Sequence, residues 1–431
     1  MAVGWRIALI AAAVVLTAAA PRGVDKSFGP SQWPTDHDQP SNNAAIPASG
    51  DPNIHYRKSF SVLLNSDTPI VDGRLYVVGG DANAQGQSTA PGYVFALSAR
   101  TGRILWTQVT PNSVYAEPIL SAGRVLIGVG NALFPAATGT PSLDPNAVRG
   151  VGPSGLYAYD AATGWPLFEF ETPGADQAPA TVVGSKVYIA SGSRQLYVLN
   201  LNSGRLLWSV NLGHYVSRSS PRIVNGMVVV GGAGPLGVVA VDMKTGRIAW
   251  QRPIHQAIGG VDDTPLAVHG NRLVGAAVLF PKSAGSKRLF RAVVFAIQAT
   301  TGKILWQQQV AQGPLPRFKE TGTPLVWGNT VYVGNALNGD VSALALTTGK
   351  VQWTVNAGAP VTRPPVIRRR RVIFVTQQGT LEAVSESGRV LFRRSLGKFV
   401  NAYGPVIVGD TAFVTANTPS HGVLIALKLP S

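Results

Sequence analysis

The chain has 431 residues, including 48 glycines, 31 prolines and no cysteine, and its formal net charge at pH 7 is +16. Only 13% of the residues are charged while 45% are hydrophobic, a balance that excludes a disordered chain and argues against long solvent-exposed helices. The lack of cysteine excludes a disulfide scaffold, a thiolate nucleophile, an iron–sulfur cluster and a cysteine-ligated zinc site. Frequent glycine and proline with an ordinary apolar content predict a compact β protein with many turns.

The first 20 residues have the composition of a secretory signal peptide. Arg6 is followed by an apolar run over residues 7–17, which is too short to span a bilayer, and the small residues Ala18 to Ala20 come next. A retained membrane anchor is the alternative, whereas we expect no lipoprotein anchor because the segment has no cysteine. We therefore predict a cleaved signal peptide over residues 1–20, a flexible leader over residues 21–53, and a periplasmic protein.

Seven segments of the remaining chain end in one pattern, in which Thr-Gly or Ser-Gly is followed by an aromatic residue four positions after the glycine. The aromatic positions are Trp106, Phe168, Trp208, Trp250, Trp306, Trp353 and Phe392. Each segment follows a proline and two alternating apolar runs, and the core period is about 41 residues, typical of one four-stranded β-propeller blade. The glycine supplies the positive φ of the last turn, and the aromatic side chain fills the wedge between neighbouring blades. The five tryptophans in this set are therefore interpreted as structural.

The two ends of the repeat array are incomplete in complementary ways. An eighth unit begins at Pro405 and provides three strands, while the segment 54–64 has Tyr56 where a tryptophan would be expected. Pairing these two parts closes the ring and removes two exposed strand edges. The sequence therefore predicts an all-β fold: an eight-bladed propeller of four-stranded antiparallel blades over residues 54–431, with the last blade closed by the N-terminal strand.

The repeat, clearest over residues 240–250 and 158–168, resembles the tryptophan-docking repeat of the PQQ-binding-like β-propellers. The resemblance covers nearly the whole chain after residue 53. It is specific for the fold but not for the function, because this propeller carries several unrelated functions. The quinoprotein dehydrogenase branch implies PQQ and calcium on the ring axis. The BamB-like branch implies a protein partner without a cofactor, and the tetrathionate hydrolase branch of acidophilic bacteria implies hydrolysis of a sulfur compound.

The three branches predict different partners and cofactors. Many quinoprotein alcohol dehydrogenases have a vicinal disulfide over PQQ, so the lack of cysteine favours no cofactor, with PQQ and calcium as the alternative. We expect a BamB-like scaffold that binds a periplasmic or outer-membrane protein in envelope assembly. The alternative is an enzyme, either a PQQ-dependent dehydrogenase or a sulfur-compound hydrolase of an acidophile. No phosphate-binding glycine loop is present, and we expect no nucleic-acid partner.

Three insertions interrupt the period, at about residues 81–92, 131–155 and 280–289, and each is predicted to join the second and third strands of a blade. These loops share a face with the residues that precede the first strand of each blade. Elaborated loops on a rigid scaffold are where binding usually resides, although slack loops without function are the alternative.

The residues before the first strands form a predicted ring around the mouth of the central channel. The predicted ligand-binding members are Asp67, Glu117, Gln177, Arg218, Asp263, Arg363 and Tyr403. Asp262 and Asp263 are the best carboxylate pair for acid–base chemistry or Ca²⁺, and Glu320 is a further weak catalytic candidate; two solvated acids are the simpler interpretation. Arg218 and Arg363 favour an anionic ligand as much as a metal. The six histidines show no metal-binding spacing.

Nine basic residues fall between positions 363 and 398. The predicted docking patch among them consists of Arg368, Arg369, Arg370, Arg371, Arg393 and Arg394. It is suited to anionic lipid headgroups or to an acidic partner. The alternative is adaptation to an acidic habitat, where carboxylates would be protonated anyway.

Overall fold

The computed structural model describes residues 45–46, 54–67, 70–80, 90–135, 141, 144–281, 289–315 and 321–430. The regular structure of these residues is β, in eight sheets that form a ring of blades. Within the same ranges, no helix has the length and apolar character needed to cross a membrane. The predicted signal peptide and nearly all of the predicted leader lie outside the described residues.

Each blade is a four-stranded antiparallel sheet. The strands of blades one to four are Ile70–Val71, Arg74–Gly80, Gly92–Ser98 and Ile104–Thr110; Ile119–Ser121, Arg124–Val129, Gly155–Asp160 and Pro166–Glu171; Thr181–Val183, Lys186–Ala190, Gln195–Asn200 and Leu206–Asn211; and Arg222–Val224, Met227–Gly232, Gly237–Asp242 and Ile248–Pro253. The strands of blades five to eight are Ala267–His269, Arg272–Leu279, Phe290–Gln298 and Ile304–Gly313; Leu325–Trp327, Thr330–Gly334, Asp340–Ala345 and Val351–Asn356; Val366–Arg368, Arg371–Val375, Thr380–Ser385 and Val390–Ser395; and Val406–Val408, Thr411–Asn417, Gly422–Lys428 and Ile54–Phe60. The last strand comes from the N-terminal side of the array, so the predicted eight-bladed propeller and its mode of closure are confirmed.

Four short strands lie outside this scheme: Ala45–Ile46, Leu63–Leu64, Ala257–Gly259 and Asn401–Ala402. Ala45–Ile46 pairs in parallel with Val366–Arg368 on the first strand of blade seven. The other three extend sheets of the ring by antiparallel pairing.

The same register recurs in all eight blades. A small residue of the third strand stands opposite the aromatic residue of the fourth, in the pairs Ala96–Trp106, Ala158–Phe168, Val198–Trp208, Ala240–Trp250, Ala296–Trp306, Ala343–Trp353, Ala383–Phe392 and Ala426–Tyr56. The indole Nε1 of Trp250 donates to the carbonyl oxygen of Ala299 in the next blade at 2.8 Å. The Tyr56 hydroxyl donates to the carbonyl oxygen of Ala99 at 2.9 Å in the same way. The expectation that Tyr56 takes a tryptophan's place is confirmed.

The glycine of the repeat meets two requirements at once. Gly302 has a φ of +69°, and a Cβ built there would lie 2.6 Å from the indole ring of Trp250. Any other residue would therefore be strained and would also push the docked ring out of its wedge. Gly102 stands in the same relation to Tyr56, at 2.7 Å.

The core consists of apolar layers between adjacent blades. The largest layer joins blades six, seven, eight and one, and it includes Phe60 of the N-terminal strand, Phe374 of blade seven and Phe413 of blade eight. Phe60 packs on Phe95 of blade one with ring centroids 5.1 Å apart. The closure is therefore sealed by a continuous apolar cluster as well as by strand pairing.

The two ends of the ring differ. The turns between strands one and two are short in every blade, and so are those between strands three and four in blades one to seven. We call this end the tight-turn face. The insertions over residues 81–92, 131–155 and 280–289 fall between the second and third strands of their blades, as predicted. These connections begin and end at the other end of the ring, beside the loops that precede the first strands. We call that end the insertion face.

Candidate functional site

A pocket opens on the insertion face; its cavity volume is about 40 Å³, and its empty space is about 410 Å³ when the open mouth is counted. Its lining residues are Asn65, Ser66, Asp67, Tyr115, Glu117, Gln177, Pro179, Arg218, Asp263, Pro265, Thr323, Arg363 and Pro364. Because seven different blades contribute to it, the pocket lies on the ring axis, and we call it the axial pocket. Six of the seven predicted ring residues line it, and Tyr403 lies behind one of them. The repeat thus brings these side chains together, and ligand binding by them stays a prediction.

The axial pocket presents charges of both signs. Asp67 and Glu117 are almost fully buried, and Asp263 is partly exposed. The guanidinium carbon of Arg363 lies 4.6 Å from the centroid of the Tyr403 ring, and that of Arg218 lies 5.7 Å from the Tyr115 ring. These cation–π contacts hold two permanent cations at the mouth of the channel.

A glycine allows two of the charged groups to approach one another. A Cβ built at Gly404 would lie 3.1 Å from the Cβ of Arg363 and 3.5 Å from both carboxylate oxygens of Asp67. The loop before blade eight is therefore thin where blades seven and one converge. This local choice of residue places a cation and a carboxylate on neighbouring walls of the pocket.

The predicted Asp262–Asp263 pair is divided by the structure into a buried and a pocket-facing carboxylate. The Asp262 carboxylate accepts a hydrogen bond from the Ser217 hydroxyl at 2.8 Å, and its main-chain oxygen accepts from the amides of Arg218 and Ser219 at 2.8 and 2.9 Å. Asp263 lines the axial pocket. The buried member positions the loop, and the other is the one that a ligand can reach.

The sequence analysis did not identify Arg149, which lies behind this pair. Its Nη1 is 3.8 Å from the Asp263 carboxylate and also donates to the Ser217 hydroxyl. Its guanidinium lies 5.7 Å from the centroid of the Phe134 ring. Arg149 therefore links the two halves of the carboxylate pair from one side.

The backbone around Arg149 is fixed by the blade beneath it. Its amide donates to the Gly192 carbonyl at 3.0 Å, and its carbonyl accepts from the Ala175 amide at 2.8 Å. A Cβ on Gly192 would lie 2.3 Å from the Arg149 carbonyl oxygen, so only glycine permits this approach. The end of the second insertion is thus packed on blade three and places the Arg149 side chain behind the carboxylate pair.

Asp176 is a buried carboxyl beside the pocket that does not line it. Burial raises the pKa of Asp176 to about 7, although hydrogen bonds from the Ser191 and Thr172 hydroxyls act in the opposite direction. The Thr172 hydroxyl donates to it at 3.0 Å. Its neighbour Gln177 is the residue that reaches the pocket, and its Nε2 donates to the Gly130 carbonyl at 3.3 Å.

The predicted docking patch is divided by the structure. Arg368 is only 1% exposed, and its guanidinium donates to the Asp410 carboxylate at 2.6 Å and to the Pro430 carbonyl at 3.1 Å. It therefore fastens blade seven to blade eight and offers no charge at the surface. Arg369 and Arg370 are exposed in the turn.

The other patch members are also accounted for. Arg371 is partly buried and donates to the Pro430 carbonyl at 3.3 Å. Arg393 donates to the buried Glu382 carboxylate at 2.7 Å, on the outer strands of blade seven. Arg394 lies beside it on the same strand. Glu320, the remaining catalytic candidate, lies outside the described residues.

The family model described as outer membrane protein assembly factor BamB matches residues 152–338 and 337–429. The chain belongs to this PQQ-like propeller family. A tetrathionate hydrolase from Acidithiobacillus ferrooxidans is 28% identical over 92% of this chain and 86% of its own length. The crystal structure of BamB from Moraxella catarrhalis superposes on 88% of this chain and 100% of its own with a TM-score of 0.61 at 18% identity, which shows a shared fold.

Dehydrogenases also occur among the relatives of this family member. A polyvinylalcohol dehydrogenase from Pseudomonas sp. is 26% identical over 46% of this chain and 37% of its own length. A calcium ion takes six to eight oxygen ligands. Among the described residues, no group of three or more histidine and acidic side chains stands close enough to hold a metal ion. The described part of the axial pocket therefore offers a calcium ion no such cluster of ligands.

Proposed function

We propose that this protein is an exported hydrolase of sulfur oxyanions of the tetrathionate type, with its active site in the axial pocket. The observation that carries the proposal is the convergence of Asp263 with Arg218 and Arg363 in one pocket on the ring axis. The tetrathionate hydrolase relative supports it, because that similarity extends over 92% of the chain. The apolar N-terminal run of the sequence supports export.

The chemistry of the substrate agrees with the residues of the pocket. Tetrathionate has an anionic sulfonate at each end of a chain of sulfur atoms, so it requires two cationic contacts that are separated in space. Arg218 of blade four and Arg363 of blade seven provide two such contacts from different walls of the pocket. As permanent cations, they keep this role at acidic as well as at neutral pH.

Hydrolysis adds water across a sulfur–sulfur bond, so that the hydroxyl joins one sulfur atom and the proton reaches the other. Asp263 is the residue that we assign to removing the proton from the attacking water, because it is the pocket-facing member of its pair. General base assistance by a positioned carboxylate is worth about 10²–10⁴-fold in rate. Asp262, held by Ser217 and by two backbone amides, keeps the loop that bears Asp263 in place.

A BamB-like scaffold for an outer-membrane protein is the second candidate. It is favoured by the family match itself, which extends from residue 152 to residue 429. That match does not include Asp67, Tyr115 and Glu117, which line the pocket. For this reason we place the hydrolase first.

The decisive experiment is incubation of the purified protein with tetrathionate, at acid and at neutral pH, with sulfate and thiosulfate followed by ion chromatography. We expect turnover by the parent and a loss of about a hundredfold or more in Asp263→Asn with unchanged thermal unfolding. Asp72→Asn is the matched control, because Asp72 is an exposed acid on the opposite face in a left-handed conformation that asparagine tolerates.

The outcomes separate the two candidates. A parent protein that releases no sulfate at either pH contradicts the hydrolase, and stable co-purification with an outer-membrane protein would then support the scaffold. Turnover that survives in Asp263→Asn contradicts only the assignment of the base.

A further inference from the structure

The tight-turn face carries a repeated cation. Six of the seven complete repeats place a basic residue directly after the turn glycine: Arg103, Arg205, Arg247, Lys303, Lys350 and Arg389. All six are exposed at the turn between the third and fourth strands. The remaining repeat, that of blade two, has Trp165 in this position.

Other turns of the same face add to this charge. In the part of the chain that the structure describes, its turns and the strand ends beside them contain eleven exposed lysines and arginines: the six above together with Arg100, Lys186, Lys244, Arg369 and Arg370. Asp72 is the one exposed acid among the described residues of these turns, and the others are half-buried. The acids of the axial pocket lie on the opposite face, so the positive charge is concentrated on one end of the ring.

The exposed tryptophans lie on this face too. Of the seven tryptophans that the structure describes, five are docked between blades, and the other two are Trp165, 73% exposed, and Trp327, 42% exposed. Trp165 is in the third-to-fourth turn of blade two, and Trp327 ends the first strand of blade six at its turn. Both therefore stand on the tight-turn face, although nothing in the blade fold requires them there.

Exposed aliphatic residues flank the same cations. Leu206 and Leu207 follow Arg205 and are each 47% exposed, and Val390 follows Arg389 at 40%. Exposed apolar residues also occur around the insertions, but no described tryptophan is exposed there. What distinguishes the tight-turn face is the combination of clustered cations and exposed indole rings.

We propose that the tight-turn face docks on an anionic phospholipid bilayer. Basic side chains are attracted to the anionic headgroups, and tryptophan is the residue that prefers the boundary between headgroups and acyl chains. An acidic protein surface would pair with the cations, but it would not explain why two exposed tryptophans lie on the same face as these cations. Docking in this way turns the axial pocket away from the membrane and toward the aqueous compartment.

The strength of this docking follows from the number of cations. Each basic side chain close to an anionic surface raises the partition coefficient by roughly fivefold, so three contribute roughly a hundredfold. The attraction acts over about one Debye length, which is about 10 Å at 0.1 M salt. Cations on the insertion face are therefore too far away to contribute comparably.

The test is binding of the protein, purified from the envelope fraction, to vesicles of phosphatidylglycerol and phosphatidylcholine, compared with vesicles of phosphatidylcholine alone. We expect co-sedimentation with the anionic vesicles only, weakening as salt is added, and a blue shift of tryptophan fluorescence. The triple variant Arg205→Gln, Arg247→Gln and Lys303→Gln should bind roughly a hundredfold more weakly. The matched control, Lys58→Gln, Arg394→Gln and Lys398→Gln, removes the same charge away from this face and should bind like the parent.

A second pair of variants tests the indole rings. Trp165→Ser with Trp327→Ser should weaken binding and abolish the fluorescence shift, while thermal unfolding stays unchanged because neither ring is docked. Equal binding to neutral and anionic vesicles, equal losses in the two triple variants, or a fluorescence shift that survives without both tryptophans would each overturn the proposal. Salt-sensitive binding to an acidic protein without binding to vesicles would assign the face to a protein partner instead.

Discussion

The tight-turn face and the insertion face are built from the same strands, but their contacts are organised differently. On the tight-turn face one arrangement recurs from blade to blade: a glycine turn, an aromatic ring docked on it, and a hydrogen bond to a turn carbonyl, as between Trp353 and Glu386 at 2.7 Å. On the insertion face each important contact occurs once, as between Arg149, Ser217 and Asp263. The repeated contacts stabilise the ring of blades, and the contacts that occur only once form the candidate functional site.

The acidic side chains also have different roles on the two faces. Acids on the tight-turn face serve as turn caps: the Asp242 carboxylate accepts from the amide and hydroxyl of Thr245 at 2.7 and 2.9 Å. Acids on the insertion face, such as Asp263, point into a pocket. The comparison predicts that changes on the repeated side alter stability and that changes on the unique side alter chemistry or pH response.

The largest effect is expected from removing the strand that closes the ring. A chain begun at residue 62 lacks Ile54–Phe60, so blade eight loses its fourth strand and its edge is left unpaired. We expect this truncation to abolish the cooperative thermal transition. A chain begun at residue 51 retains the strand and is the control, and similar melts for the two truncations would contradict closure by this segment.

Two tryptophans near the tight-turn face allow the stabilising effect of a ring packed between blades to be compared with that of an exposed ring. Trp250→Ala removes a ring wedged between blades and its bond to Ala299, and should lower the free energy of unfolding by about 3–5 kcal/mol. Trp165→Ala removes an exposed ring and should change it by less than about 0.5 kcal/mol. Chemical denaturation measures both, and equal losses would show that the repeated contact is not what stabilises the blades.

Asp176 should make the protein less stable as the pH rises. The pKa of Asp176 is raised from 3.8 to about 7 on folding, so both states hold the proton well below pH 4 and nothing is lost there. Between these values the unfolded chain ionises first, and stability falls by up to about 4 kcal/mol before levelling off above pH 7. Asp176→Asn should therefore match the parent at acid pH and exceed its stability at about pH 8. A constant difference between the two across this range would contradict the assignment.

Replacing Arg149 should have the smallest effect of the four changes predicted here, and it should alter catalysis rather than the free energy of unfolding. Replacing it by glutamine removes a positive charge beside Asp263, which makes ionisation of that carboxyl harder. If the protein hydrolyses tetrathionate as proposed, kcat should fall by about tenfold, and the acidic limb of the pH profile should move to higher pH. Arg149→Lys keeps the charge and should restore the parent profile; an unmoved profile in Arg149→Gln would mean that the contact only supports the loop.

The repeat made most of the architecture predictable. Once the period was set, the blade number, the role of Tyr56 and the strands joined by each insertion followed, because the register repeats in every blade. The ring of residues around the axis followed for the same reason, since equivalent positions in a closed repeat must converge. The confirmed elements are those for which a position in one blade determines the position in the next.

What the sequence did not show depends on contacts without an equivalent elsewhere. Arg149 lies in an insertion, so no period relates it to Asp263, and its place is set by close backbone packing at Gly192. Arg368 resembled its exposed neighbours as one of four consecutive arginines. Its burial depends on Asp410 and on a carbonyl near the end of the chain, which composition cannot reveal.

The pairing of the N-terminal strand with blade eight has a consequence for how the ring assembles. Leu64 and Asn417 exchange two hydrogen bonds, of 2.8 and 2.7 Å, across 353 positions of sequence. Seven blades form from neighbouring segments, but the eighth must wait until Gly422–Lys428 is made, because chains are synthesised from the N-terminus. Throughout that time Ile54–Phe60 carries an unpaired backbone edge that can be captured by a foreign strand. Closure is therefore the slow, long-range step of folding, and the interval before it is when this protein most needs protection from aggregation.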